Sequence, residues 1–249
     1  MKRLVMTFLA GMLLGGLAAP GQVPDASEAL DRLEAAMGNF TDLIARLSIV
    51  HFREGLPDLT QEVQLYLLQP DKLRLEYLAP DYLAGNVALA VGDRLWVYIA
   101  AADTWYEKDL SDFSPSQQPW ITFRALLKSV RGEYWEYVLH VQKDGDLLLL
   151  SGVPHEEEAA YGRIELWVDP ATWLPVRRKL YDVDGNYLGE ACFLKHTEVA
   201  PGLWLPLEVE IYDEEGSPVS GISYLEIEVD VGVPETLFVP PEGSGGSGG

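Results

Sequence analysis

Residues 162–213 read GRIELWVDPATWLPVRRKLYDVDGNYLGEACFLKHTEVAPGLWLPLEVEIYD, and this stretch decides the fold. In Arg163–Val168, Ile164, Leu166 and Val168 alternate with Arg163, Glu165 and Trp167, the period-2 pattern of a strand with one buried face. Asp169-Pro170 and Leu174-Pro175 bracket a turn, after which a second strand runs through Tyr181. Asp184-Gly185 predicts a tight hairpin, because glycine supplies the positive φ such a turn needs at no steric cost. A third strand is expected over 187–198 and a fourth over Leu203–Tyr212, with Leu203, Leu205, Leu207, Val209 and Ile211 on one face. Four strands joined by turns too short for a helix must pair antiparallel. The stretch is a meander.

The pattern extends outward in both directions. Asp25-Ala26-Ser27-Glu28 has the form of a helix N-terminal cap. Ala29, Leu30, Leu33, Ala36 and Met37 form the apolar stripe behind it, and Gly38-Asn39 end it. Strands are expected near 42–53, 60–69, 72–78, 86–91, 94–100, 104–110, 134–142, 147–152 and 222–231, separated by turn pairs such as Pro70-Asp71 and Gly92-Asp93. In the third of these, Leu73, Leu75 and Tyr77 face the core, while Lys72, Arg74 and Glu76 face water. A second helix is predicted after Pro119, where Trp120, Phe123, Leu127 and Val130 recur at helical spacing opposite Arg124, Lys128 and Arg131. An antiparallel sheet of about 11–12 strands must curl. The expected class is mainly β, an incomplete antiparallel barrel with two or so helices.

Length and composition bound the rest. The 249 residues are read as a secretory signal peptide at 1–21, one domain at 25–241 and a flexible Gly/Ser tail at 242–249. Lys2-Arg3, the apolar run 4–17 and the small residues near Gly21 carry the signal-peptide reading, with cleavage expected near Gly21. The apolar run is shorter than the ~20 residues a spanning helix needs. Net charge is −21, from 18 basic and 39 acidic residues, which disfavours nucleic acid and anionic lipid headgroups as direct partners. The single cysteine, Cys192, excludes an intramolecular disulfide and is read as a small packed hydrophobe.

Catalytic and metal chemistry find little support. Gly245-Gly246-Ser247-Gly248-Gly249 matches the nucleophile-elbow pattern but lies in the tail, without the strand and helix that motif requires. Asp182, Asp184 and Asn186 copy the first positions of a calcium loop, but Tyr187 stands where the glycine belongs, and the hairpin already explains them. The four histidines, His51, His140, His155 and His196, show no metal spacing. No catalytic residue, metal ligand or cofactor is therefore assigned. The acidic runs 156–158 and 213–215 read as solvated loop tips.

Three segments together carry a family resemblance. The W-V-D…L-P…Y-D-x-D-G run with the L-W-L-P-x-E-x-E-I strand resembles the outer-membrane lipoprotein-sorting proteins related to the LolA/LolB carriers. Residues 70–77 with Leu95-Trp96-Val97-Tyr98 are similar to that family's R-P…W and L-W-F-Y strands, and residues 237–243 to its closing F-x-P-P-x-G. The resemblance implies an incomplete barrel whose helices cap an apolar cavity for lipoprotein acyl chains. It also implies a periplasmic location, with an inner-membrane transporter and an outer-membrane acceptor as partners. The cavity expected on these grounds is lined by Leu65, Leu67, Leu73, Leu75, Tyr77, Val87, Leu89, Trp96, Trp120, Phe123 and Leu127. Two departures stand out: Gln69 precedes Pro70 where the carriers have the arginine that bonds to the lid, and Leu75 replaces a cavity tryptophan. Gln69 is thus the candidate lid contact, without the charge. An acyl chain buried in such a cavity gains ~0.8 kcal/mol per methylene, on the order of 10 kcal/mol for a dozen. The bilayer offers the same gain, so exchange is close to balanced. A filled core with no cavity and a lipoprotein-sensing regulatory module of the same fold are the alternatives; a hydrolase is disfavoured, because no nucleophile–base–acid set is recognisable, and ester turnover that survives mutation of Ser151 and His155 would reopen it.

Overall fold

The computed structural model describes residues 23–109, 132, 134–155 and 161–240. The predicted helix forms as α1, Ala26–Met37, with the Asp25 side chain accepting a hydrogen bond from the Glu28 backbone N–H at 2.8 Å. Gly38 ends it with φ +76°, in the left-handed region that favours glycine. The strands are β1 Asp42–His51, β2 Leu59–Leu68, β3 Lys72–Ala79, β4 Val87–Val91, β5 Arg94–Ile99, β6 Thr104–Asp109 and β7 Tyr137–Asp144. They continue as β8 Leu147–Pro154, β9 Arg163–Val168, β10 Pro175–Tyr181, β11 Tyr187–Ala200, β12 Leu203–Tyr212 and β13 Pro218–Val229. Where about 11–12 strands were expected, 13 form among the described residues. Tyr134, expected to open a strand, is helical instead. The predicted second helix, the signal peptide and the tail lie outside the described residues.

All 13 strands join one sheet in the order β6-β5-β4-β3-β2-β1-β13-β12-β11-β10-β9-β8-β7, every neighbouring pair antiparallel. The first and last strands therefore meet in the middle of the sheet. Its two free edges, β6 and β7, are consecutive in the chain, so residues 110–136 connect the margins of the open barrel.

The face on which α1 packs is the inner one. Ala29, Leu30 and Leu33 of α1 join Tyr137, Val141, Leu148, Leu150, Ile164, Leu166 and Val168 in one buried cluster. A larger cluster, from β1 through β5 and β11 through β13, lies on the same face: Phe193 packs against both, and Ala191 of one stands opposite Arg178, itself opposite Leu166 of the other.

The outer face of β2–β5 is not wet, as the alternation in β3 implied. The C-terminal segment, with a 3-10 turn at Glu235–Phe238, folds over it. Val233 and Phe238 are buried there against Leu89 and Trp96, with Ile44, Tyr66 and Leu68 around them. Arg74 donates from Nη1 to the Leu237 carbonyl (3.2 Å) and from Nε to Glu76 (2.7 Å), and Lys72 pairs with Glu235 at 3.5 Å. The aliphatic stems of these cations cover apolar surface while their heads stay polar-bonded.

Candidate functional site

The inner face is built of cross-strand rows. One runs Val229–Leu43–Leu67–Leu73–Ala90–Leu95 and the next Ile227–Ala45–Leu65–Leu75–Ala88–Val97, each across six strands in register. Directly opposed side chains in a sheet touch, so each row is a continuous apolar band. A third row, Tyr224–Leu47–Val63–Tyr77, crosses four strands. Two bulges flank it. Leu225 is the extra residue between Tyr224 and Glu226 on β13, and Leu78 the extra residue between Tyr77 and Ala79 on β3. Both bulge leucines are exposed, and both tyrosines keep the inner phase of the residues before them, Leu75 and Ile222.

Leu65, Leu67, Leu73 and Leu75 lie together on the inner face, at 0 to 3% exposure. Tyr77 packs on the same cluster and stays half-buried. Val87, Leu89 and Trp96 do not belong to this face. Val87 pairs with Glu76, Leu89 with Arg74, and Trp96 with Leu89, all on the outer side. Leu89 and Trp96 are buried there under the C-terminal segment. Ala88, Ala90, Leu95 and Val97 take the inner positions instead. Trp120, Phe123 and Leu127 lie outside the described residues. Gln69 sits between β2 and β3, half-buried, with its backbone N–H bonded to the Thr41 carbonyl at 2.9 Å.

The larger cluster has a distinctive composition. Among the described residues it consists of strand side chains and Phe40; α1 contributes only to the other cluster. Around the fully buried aliphatics lie half-buried ones, including Phe193, Ile211, Tyr224 and Ile227, packed on the cluster yet retaining accessible surface. Tyr224 combines this accessibility with depth: burial alone pushes its phenol well above the ordinary range, and burial raises Tyr77 too. Tyr224 escaped the sequence reading, although its signal is there. The apolar alternation of 222–231 switches phase between Tyr224 and Ile227, as a bulge requires.

A solvent-open groove of about 1020 Å³ lies elsewhere, between the start of α1, the β7–β8 hairpin and the turn at Pro170 and Trp173. Asp25, Glu28, Arg32, Lys143 and Asp146 give it a mixed, polar lining, and none of the expected cavity residues reaches it. Arg32 stacks over the Trp173 ring at 5.1 Å.

Two further groups bear on the chemistry. Cys192 is half-buried on the outer face opposite Arg177 and Glu210, rather than packed in the core, and burial raises its thiol. Ser151 stands between His140 and Glu165 on neighbouring outer-face positions. The Glu165 carboxylate accepts from the Tyr181 hydroxyl at 2.9 Å and pairs with Arg163 at 3.4 Å, and no hydrogen bond joins Ser151 to His140. A nucleophile without its base bond is not an activated one. Among the described residues no three His, Cys, Asp or Glu side chains are placed to share a metal ion. No described helix is long and apolar enough to cross a membrane.

A family model described as "Uncharacterized protein" matches residues 127–241. A search among curated proteins finds no match. Solved structures are more informative. A LolA superfamily protein from Nitrosomonas europaea superposes with a TM-score of 0.66 at 16% identity, covering 86% of this chain and 97% of that one. An outer membrane lipoprotein-sorting protein domain from Vibrio parahaemolyticus gives 0.69 at 18%, covering 86% and 97%. A DUF1329 family protein from Desulfovibrio piger gives 0.70 at 17%, covering 86% and 96%. The open 13-stranded sheet with α1 on its inner face is thus a LolA-like fold.

Proposed function

We propose that the chain is a non-enzymatic periplasmic carrier that holds the acyl chains of lipoproteins, or free lipid, against its inner face and takes part in outer-membrane lipoprotein sorting. The superposition on a lipoprotein-sorting domain supports this reading at the level of fold. The observation that carries the reading is the inner face itself. Two apolar rows cross six strands without a charged residue, and half-buried apolar side chains border them. Hydrocarbon is the ligand such a surface accepts without stranding a polar group. Leu65, Leu67, Leu73, Leu75 and Tyr77 line this site. Because a bilayer solvates the same hydrocarbon equally well, net transfer needs a loading partner and an acceptor.

The test is purification of the protein from its own periplasm, followed by native mass spectrometry and organic extraction. Copurified acylated protein or lipid, displaceable by a fluorescent fatty acid, is the expected result. A ligand-free protein that takes up no fluorescent fatty acid overturns the carrier reading.

A further inference from the structure

The third inner-face row ends in a tyrosine on each side, Tyr224 on β13 and Tyr77 on β3, with only Leu47 and Val63 between them. Three strand spacings separate the two positions, about 14 Å along the sheet. Among the described residues neither hydroxyl makes a hydrogen bond, and burial raises both phenols. Each is followed by a bulge, at Leu78 and at Leu225, and the one at Leu225 lets Tyr224 and Ile227 share the inner face. Bulges re-aim side chains and concentrate next to functional sites. A neutral phenol on an apolar face is a hydrogen-bond donor that an incoming acceptor can meet. The buried cation of this face, Arg178, stands apart on β10 and has an interaction of its own.

We propose that Tyr77 and Tyr224 are hydrogen-bond donors to the acyl-linkage carbonyls of the cargo, so that the site selects neutral acyl esters or amides over bare hydrocarbon. This rests on the inner face being the binding site. The aliphatic rows hold the tail whatever its head, and the tyrosines read the carbonyl that joins tail to head. An ionised phosphate or carboxylate is the poorer match, because an anion in this setting needs a countercharge that the row lacks.

The experiment uses the full chain, with diphenylhexatriene, a hydrocarbon without oxygen, as the fluorescent reporter. Dioleoylglycerol and its dialkyl ether counterpart, which has the same tails but no carbonyl, compete for it. Wild-type protein is expected to release the reporter at about three- to tenfold lower concentration of ester than of ether. Tyr77→Phe and Tyr224→Phe each narrow that gap, and the double variant closes it, each ratio being read against that variant's own affinity for the reporter. Equal competition by ester and ether in the wild type overturns the proposal, without need of a variant. A gap that survives in the double variant overturns it as well, while leaving the carrier reading intact. Failure of the wild type to bind both reporter and glycerolipids removes the carrier reading and this one with it.

Discussion

Asp42 and Asp230 clasp the first and last strands reciprocally. The Asp42 carboxylate accepts from the backbone N–H groups of Val231 (3.0 Å) and Gly232 (3.1 Å), and its carbonyl accepts from Asp230 N–H (2.9 Å). The Asp230 carboxylate in turn accepts from Thr41 N–H at 2.7 Å. Asp42 is only 5% exposed, so its loss leaves backbone donors that water does not readily replace. Asp42→Ala is expected to cost roughly 2–3 kcal/mol, and Asp42→Asn less, read as shifts in the urea midpoint at constant slope.

Phe238 holds the C-terminal segment onto the outer face, at 3% exposure beside Leu89 and Trp96. Phe238→Ala removes that contact and leaves a cavity, an expected loss of about 3 kcal/mol. Since Arg74 also bonds this segment, at the Leu237 carbonyl, truncation before Val233 should expose Trp96 and red-shift its emission.

Gly38 combines two constraints. Its φ is +76°, and a Cβ there would run into the Gly202 carbonyl and come within 2.8 Å of the Leu203 Cα. Gly38→Ala must therefore push α1 away from the β11–β12 turn. Thermal unfolding should show a loss of at least about 1 kcal/mol, whereas the same change at Gly202, whose φ is +76° but whose Cβ would meet nothing, carries the conformational cost alone.

His196 on β11 has its pKa lowered, chiefly by desolvation, which a bond with the Pro175 backbone partly offsets. The unfolded chain then binds a proton more readily than the folded one below the ordinary value of about 6.5. Its contribution to stability is complete above that pH and is lost as pH falls through the lower folded value. Urea midpoints between pH 7.5 and 5 should fall for the wild type and fall less steeply for His196→Asn. Equal slopes would show that other groups set the pH dependence.

Much of the architecture is legible locally. β9 and β12 begin and end where the alternation of 162–213 places them, and Asp25 caps α1 as its spacing to Glu28 requires. What alternation gives is a period, without saying which phase faces inward. In β3 the polar residues Lys72, Arg74 and Glu76 mark the outer side. In β4 every residue from Val87 to Ala90 is apolar and buried, so the sequence holds no marker, and the larger side chains invite the wrong choice. Ala88 and Ala90 face in because their partners are Leu75 and Leu73. Leu89 is buried on the other side by Phe238, about 150 residues away along the chain, a contact no local window contains. The tyrosine row was hidden for a related reason, since it exists only once four strands are in register.

The central seam between β1 and β13 divides the sheet into two contiguous pieces of chain, 42–109 and 137–229. Those pieces are joined covalently only through residues 110–136. A backbone nick in that connection leaves β1–β13 of the described sheet intact. It leaves two complementary fragments, one bearing β1–β6 and the other β7–β13, that can zip together along nine paired positions from Leu43 to His51. The two pieces are also cross-clasped: α1, from the first, packs on β7–β9 of the second, and the C-terminal segment of the second covers β3–β5 of the first, so each piece completes the core of the other.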